Sequence, residues 1–140
     1  MSARVIVCLG SNIEPRTAYL DRAQELLCAL PETELAAVGE TDETEPVDVP
    51  PEFAGRMFMN RILVFNTGLS PRAFSDNMHR IEDVLGRVRG DVRNMPRTID
   101  IDMIDYEGVV MNDPRLTLPH PRARERSFVM EPLKRLNIVF

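Results

Sequence analysis

Hydrophobic positions near the start of the chain follow first a strand pattern and then a helix pattern. Residues 4–10, "RVIVCLG", form a short apolar run that ends in the turn residues Gly10-Ser11-Asn12, so we expect a first β-strand here. After Pro15, apolar residues recur at steps of three and four, the spacing of one helical face, at Leu20, Ala23, Leu27 and Leu30. Pro31 is expected to end this helix.

The next segments carry a weak strand signal, a loop and a strong strand signal. In "ELAAVGETDETE", Val38 and the threonines favour a strand, whereas Gly39 and the acids oppose one. Prolines 46, 50 and 51 predict a loop that runs to about Arg56. Residues 57–68, "MFMNRILVFNTG", are apolar and β-prone throughout, which predicts a central strand buried on both faces.

A second helix and an aspartate-rich strand follow. Ser70 is a good N-cap with Pro71 behind it, and an apolar stripe runs through Phe74, Met78, Ile81 and Leu85 as far as Gly86. Residues 87–96 predict a loop rich in Arg and Gly, residues 99–105 a strand, and residues 109–111 another short strand. We expect the remainder, "LTLPHPRARERSFVMEPL", to be a loop broken by prolines with at most one helical turn.

The element order βαββαββ limits the fold. Two helices lie among strands that are too closely spaced for an all-parallel sheet, which indicates an α+β sandwich on a mainly antiparallel sheet. A chain of 140 residues is long enough for one hydrophobic core, so residues 1–140 are expected to form one domain.

Charge and cysteine content exclude some functions and leave others open. The net charge of −5 argues against broad binding to nucleic acid or to anionic membranes, although a local basic site is compatible with it. Cys8 and Cys28 lie in apolar runs without metal-ligand spacing, and we expect both to be buried reduced thiols. With no secretion signal and no membrane-spanning run in the sequence, we expect a cytoplasmic protein.

Two aspartates on the last long strand are candidate metal ligands. Side chains alternate across a strand, so Asp100 and Asp102 face one side, about 7 Å apart, while their apolar neighbours face the other. Two carboxylates at that spacing can bind Mg²⁺. The ordinary alternative is a solvated polar face, but Asp is a poor strand former. Asp105 is expected to face the opposite side, near the strand end.

Arginines surround this strand in the sequence. Four of them, Arg87, Arg89, Arg93 and Arg97, precede it within eleven residues, and Arg122, Arg124 and Arg126 follow near His120. Arginine's planar fork binds phosphate oxygens in pairs, and carboxylates beside arginines are the complementary parts of a polyphosphate site. A solvated basic loop is the alternative for the first group. His120 is a candidate phosphate contact or a structural loop residue, and His79 is expected to be exposed.

Several quoted stretches together identify a family. In order along the chain, "CLGSN", "FMNRILVFNT", "RIEDVLGRVR", "PRTIDIDMIDYEG" and "LTLPHPRARERSFVMEPL" resemble the motifs of 6-hydroxymethyl-7,8-dihydropterin pyrophosphokinases. The resemblance implies a ferredoxin-like αβ sandwich and transfer of pyrophosphate from ATP to the pterin alcohol, with AMP leaving. It also implies two Mg²⁺ ions and a monomer that acts on these two small molecules, with no nucleic acid or membrane partner.

The resemblance also assigns residues. It implies that Asp100 and Asp102 bind the magnesium ions and act in catalysis together with Arg87 and Arg97. The implied ATP-binding residues are Glu82, Arg87, Arg97, Arg115, His120 and Arg126. The implied pterin-binding residues are Thr44, Phe58, Asn60 and Phe128, with the two rings on either side of the pterin.

Two departures from the family pattern affect the substrate loops. Asn94 and Met95 replace the usual Trp-Gly before the metal strand, and Asp42 replaces an aromatic residue before the pterin loop. A non-catalytic relative that binds nucleotide or pterin is therefore the alternative to an active enzyme.

Overall fold

The computed structural model describes residues 2–45, 50–53, 55–86 and 98–140. The strands are β1 Ala3–Ser11, β2 Thr33–Val38, β3 Asp42–Thr44, β4 Phe58–Thr67, β5 Asp100–Tyr106, β6 Met111–Asp113 and β7 Leu116–Leu118. The helices are α1 Arg16–Cys28, α2 Pro71–Val84 and α3 Ser127–Arg135, with 3₁₀ turns at Pro51–Phe53 and Ala123–Glu125.

In the described part of the chain, five strands form one antiparallel sheet with β4 and β1 at its centre. Its order is β2-β4-β1-β5, and β3 pairs with β4 beyond the end of β2. With α1 between β1 and β2, and α2 between β4 and β5, this is the ferredoxin-like arrangement, so the predicted fold class is confirmed. Strands β6 and β7 form a separate hairpin.

Each face of the sheet has its own core. The odd-numbered residues of β1, such as Val5 and Val7, pack with Leu20 of α1 and Phe74 of α2. The even-numbered residues, Ile6 and Cys8, pack instead with Val129 and Leu133 of α3. Strand β4 is buried on both faces as predicted, because α1 and α3 cover it from opposite sides.

Helix α2 begins and ends as its sequence predicts. The Ser70 hydroxyl accepts a hydrogen bond from the Ala73 N–H, at 3.1 Å, and Pro71 occupies the first turn. Gly86 follows the helix with a φ of +83°, a conformation that glycine adopts at low energy.

The C-terminal part of the chain differs from the prediction. Instead of one helical turn, α3 has nine residues and includes Pro132. Proline removes one backbone hydrogen bond, but burial of Val129, Pro132 and Leu133 against the sheet offsets that loss. The strand expected at 109–111 starts at Met111, because Val109 belongs to the turn at Gly108 and donates to the Tyr106 carbonyl.

Two side-chain predictions are corrected as well. Cys8 is buried as expected, but Cys28 is exposed because it lies at the end of α1, outside the buried stripe of that helix. Asp105 lies opposite Ile6, whereas Met103 lies opposite Val7. Ile104 is therefore an extra residue in β5, a β-bulge. The bulge turns Asp105 onto the face of Ile6, which is also the face of Asp100 and Asp102, and not onto the opposite face as expected.

Candidate active site

One row of three residues crosses the sheet where β4, β1 and β5 run side by side. Gly10 of β1 lies opposite Asn60 on one side and opposite Asp100 on the other. Because adjacent strands are about 4.8 Å apart, the Cα atoms of Asn60 and Asp100 are about 10 Å apart. Directly opposite residues share a face of the sheet, and this row belongs to the face that α3 covers.

Asp100 and Asp102 share this face, as the alternation along the strand predicts. Asp102 lies opposite Cys8, two residue pairs along from Gly10 and Asp100, and both aspartates are partly exposed. Burial raises the pKa of the Cys8 thiol well above its ordinary value, and the negative charges of Asp102 and Asp100 raise it further. The positive charge of Arg126 acts in the opposite direction. Two carboxylates on one face are a donor set that suits a divalent cation.

Glu82 ties helix α2 to the aspartate strand. Its side chain is 1% exposed, and its Oε2 accepts the N–H of Ile101, between the two aspartates, at 2.8 Å. Its Oε1 lies 3.3 Å from the Nδ1 of His79, and the His79 side chain is largely exposed, as expected. The structure thus places the Glu82 carboxylate against the β5 backbone, at the residue between the two aspartates.

The bulge in β5 holds His120. The Ile104 carbonyl accepts the backbone N–H of His120 at 2.8 Å, and the ring Nδ1 accepts the N–H of Arg122 at 3.2 Å. The neutral ring therefore carries its proton on Nε2. Burial lowers the pKa of His120, the positive charges of Arg126 and Arg122 lower it too, and the charge of Asp100 opposes them.

A cavity of about 250 Å³ brings predicted phosphate and metal residues together. Asp102 lines it from β5, Arg115 from the β6–β7 hairpin and His120 from the loop that follows. Helix α2 contributes Ser75, Met78 and His79 to the opposite wall. Asp113 supports the hairpin turn, since one carboxylate oxygen accepts the Arg115 N–H at 2.9 Å and the other the Arg72 guanidinium at 2.7 Å.

A larger cavity, of about 510 Å³, contains the predicted pterin residues Thr44 and Phe128 and also Arg126. The Arg126 guanidinium carbon is 5.6 Å from the centre of the Phe128 ring, a distance at which cation and ring attract. Phe58 lies directly opposite Thr44 across β3 and β4. The Asn60 amide donates to the Thr44 hydroxyl, so Asn60 is fixed at the edge of this site.

Gly10 is a candidate site residue that the sequence did not single out. A Cβ on Gly10 would lie 3.3 Å from Oδ1 of Asn60, 3.6 Å from Cδ1 of Phe58 and 4.0 Å from Cβ of Asp100. A glycine inside a strand can mark a close approach of another group, and this was the available signal. Other predicted residues lie outside the described part of the chain: Arg87, Arg89, Arg93, Asn94, Met95 and Arg97.

The arrangement has two chemically different parts: one cavity lies on the side of α3, and the other lies at the β5 edge of the sheet, where α2 also lines it. The first offers aromatic rings and a fixed amide, which suit a flat heteroaromatic ring. The other offers paired carboxylates, an imidazole N–H and guanidinium groups, which suit a polyphosphate with its cations.

Comparisons with known proteins agree with this chemistry. The family model for 7,8-dihydro-6-hydroxymethylpterin-pyrophosphokinase matches residues 6–138. The chain is similar to three bacterial proteins named 2-amino-4-hydroxy-6-hydroxymethyldihydropteridine pyrophosphokinase. Identity to that of Methylorubrum extorquens is 40%, over 93% of this chain and 80% of the relative. The values are 36%, 95% and 80% for Pseudomonas aeruginosa, and 35%, 91% and 74% for Bacillus subtilis. The chain belongs to the 7,8-dihydro-6-hydroxymethylpterin-pyrophosphokinase family.

Proposed function

We propose that this chain transfers pyrophosphate from ATP to 6-hydroxymethyl-7,8-dihydropterin in folate biosynthesis, using the face of the sheet that α3 covers. The observation that supports this site best is the row Asn60, Gly10 and Asp100, in which a ring-binding amide and a metal-binding acid lie on either side of one glycine. In this proposal, a pterin ring bound at Asn60 extends its hydroxymethyl arm toward Asp100.

The donor set fits magnesium. In sites that bind substrate phosphates, Mg²⁺ takes one or two protein carboxylates and completes its shell with phosphate oxygens and water. Asp100 and Asp102 supply two carboxylates on one face, and no cluster of three or more metal-binding side chains occurs among the described residues. We assign two Mg²⁺ ions to this pair. When bound, they neutralise phosphate charge and lower the pKa of the attacking hydroxyl group.

The remaining residues bind and orient the two substrates. Phe58 and Phe128 hold the pterin ring between them, while Asn60 and Thr44 bind its polar edge. On the nucleotide side, His120 donates its Nε2–H to a phosphate oxygen, and Arg115 and Arg126 bind phosphate oxygens through their guanidinium groups. Glu82 acts on the nucleotide site through β5, whose backbone it holds. We include Arg87 and Arg97 as phosphate-binding residues on the strength of the family motif alone.

The reaction is an in-line displacement at phosphorus. The pterin hydroxyl oxygen attacks the β-phosphorus of ATP, and the bond from this phosphorus to the oxygen bridging it to the α-phosphorus breaks. AMP leaves with that oxygen, and the hydroxyl proton passes to water. Since the described residues of the site offer no strong general base, we assign most of the rate acceleration to orientation and to stabilisation of charge on the phosphate oxygens.

A coupled assay tests the proposal. With ATP, Mg²⁺ and 6-hydroxymethyl-7,8-dihydropterin, we expect AMP and the pterin diphosphate in equal amounts. With 6-methyl-7,8-dihydropterin, which lacks the hydroxyl, we expect binding without AMP. Pterin binding with no AMP from the hydroxymethyl substrate would instead identify a non-catalytic relative. We also propose a cytoplasmic monomer, which light scattering and cell fractionation would test.

A further inference from the structure

Arg16, the first residue of α1, joins three separate parts of the chain. Its guanidinium Nη1 lies 2.8 Å from a carboxylate oxygen of Glu43 and donates to the Met57 carbonyl at 3.0 Å. Its Nε donates to Glu14 at 3.1 Å, and its backbone N–H donates to the other oxygen of Glu14 at 3.0 Å. The Arg16 side chain is 19% exposed, while its carboxylate partners Glu14 and Glu43 are 75% and 48% exposed. Arg16 is thus a partly buried cation whose acceptors belong to three segments of the chain.

Two partners of Arg16, Glu43 and Met57, each directly precede a predicted pterin-binding residue. Glu43 immediately precedes Thr44, and Met57 immediately precedes Phe58, and Thr44 and Phe58 are a directly opposed pair across β3 and β4. Side chains alternate along a strand, so Glu43 faces the α1 side of the sheet while Thr44 faces the α3 side. Arg16 thus contacts both chain segments on the α1 side of the sheet. The next residue of each segment, Thr44 or Phe58, faces the α3 side.

The geometry requires arginine. A guanidinium has five N–H groups in a rigid planar fork, whereas a lysine ammonium is a compact charge on a flexible stem. Isolated surface ion pairs contribute little, as expected for the exposed pair of Arg22 and Glu25 on the same helix. Arg16 differs because it is shielded and because its acceptors include a backbone carbonyl. Loss of its side chain removes the contacts to both segments at once, and leaves only the β3–β4 pairing and the Asn60–Thr44 hydrogen bond to hold Thr44 against β4.

We propose that Arg16 is a positioning residue for the pterin site, which fixes Thr44 and Phe58 from the opposite face of the sheet through Glu43 and the Met57 carbonyl. The inference rests on the proposed function of Thr44 and Phe58 in pterin binding. Arg16 itself does not contact the pterin in this assignment. Its effect is therefore specific to one substrate: the pterin site depends on it, and the nucleotide site at Asp102 and His120 does not.

The kinetic test compares Arg16→Met with Arg22→Met, the same change on an exposed arginine of α1. We expect Arg16→Met to raise KM for the pterin about tenfold, the equivalent of one hydrogen bond to a charged group. KM for ATP and kcat should stay within about twofold of wild type. Glu43→Gln should reproduce the increase, and the double variant should be no worse than Arg16→Met alone. Arg16→Lys should recover only part of the loss.

A second measurement separates this inference from the proposed function. Amide hydrogen exchange of residues 42–44 and 58–60 without substrates should be faster in Arg16→Met and unchanged in Arg22→Met. Unchanged exchange, or equal increases in KM for pterin and ATP, would overturn the role of Arg16. If the wild-type protein makes no AMP, the proposed function fails, and the exchange rates still decide whether Arg16 holds the two strands.

Discussion

Substitution of Gly10 by alanine tests the central row of the site. The added methyl group would lie 3.3 Å from Oδ1 of Asn60, closer than ordinary van der Waals contact, with Phe58 and Asp100 next to it. The Asn60 amide is hydrogen-bonded to Thr44 on its far side, so it cannot move away without weakening that bond. The methyl group therefore displaces the amide that we assign to the pterin edge.

The expected effects on stability and on binding differ. Alanine is favoured over glycine within a strand by about 0.5–1 kcal/mol, which offsets the cost of the close contact. We therefore expect the free energy of unfolding to change by less than about 1 kcal/mol and Tm by less than about 4 °C. Misplacement of an amide that makes two hydrogen bonds costs about 2 kcal/mol of pterin affinity, or roughly 30-fold in Kd.

Isothermal titration calorimetry with pterin and with a non-hydrolysable ATP analogue measures both affinities. The matched control is Gly68→Ala, whose methyl group would lie 3.2 Å from atoms of the Glu32 side chain, far from the site. The control should bind both ligands as wild type does. Wild-type pterin affinity in Gly10→Ala, or an equal loss of both ligands, would refute the assignment of this row to the pterin.

Three further predictions concern the other parts of the site. Asp102→Asn should lower kcat by at least about 100-fold, because loss of a metal ligand removes several kcal/mol of charge stabilisation. The control is Asp76→Asn, at an exposed position of α2, which should retain activity. A fully active Asp102→Asn would exclude the metal assignment. Phe128→Ala should weaken pterin binding by about tenfold through lost ring contact and burial, and a comparable loss of nucleotide binding in the same titrations would contradict that role. His120 has a pKa below 6.5 in the folded protein because burial and the Arg126 charge disfavour its cation. The unfolded chain therefore binds more protons just below pH 6.5, and stability should fall as the pH drops from 6.5 toward the folded pKa. Urea unfolding at a series of pH values measures this, and His120→Asn should show a smaller decrease; equal pH slopes would contradict it.

Local patterns predicted the long elements well. β1 and β4 are apolar runs, and β5 alternates aspartates with apolar residues, so the strand character of all three follows from the local sequence. The stripe of α2 begins at a strong N-cap. The same local reasoning failed for α3, because Pro132 suggests a helix end and only packing against the sheet shows that the helix continues. The bulge at Ile104 was missed for a similar reason, since an extra residue in one strand is defined only relative to its partner.

The amino-acid sequence by itself determined the fold class, the family motifs and the placement of Asp100 and Asp102 on one side of a strand, because these depend on neighbours a few residues apart. Only the tertiary structure decided which side that is, and that Asn60, Gly10 and Asp100 lie in one row. Strand register pairs Gly10 with Asn60, fifty positions away, and with Asp100, ninety positions away. The register is set by burial of whole faces of the sheet. The contacts of Arg16 with Glu43 and with the Met57 carbonyl likewise depend on tertiary packing, because the three residues come from distant segments of the chain.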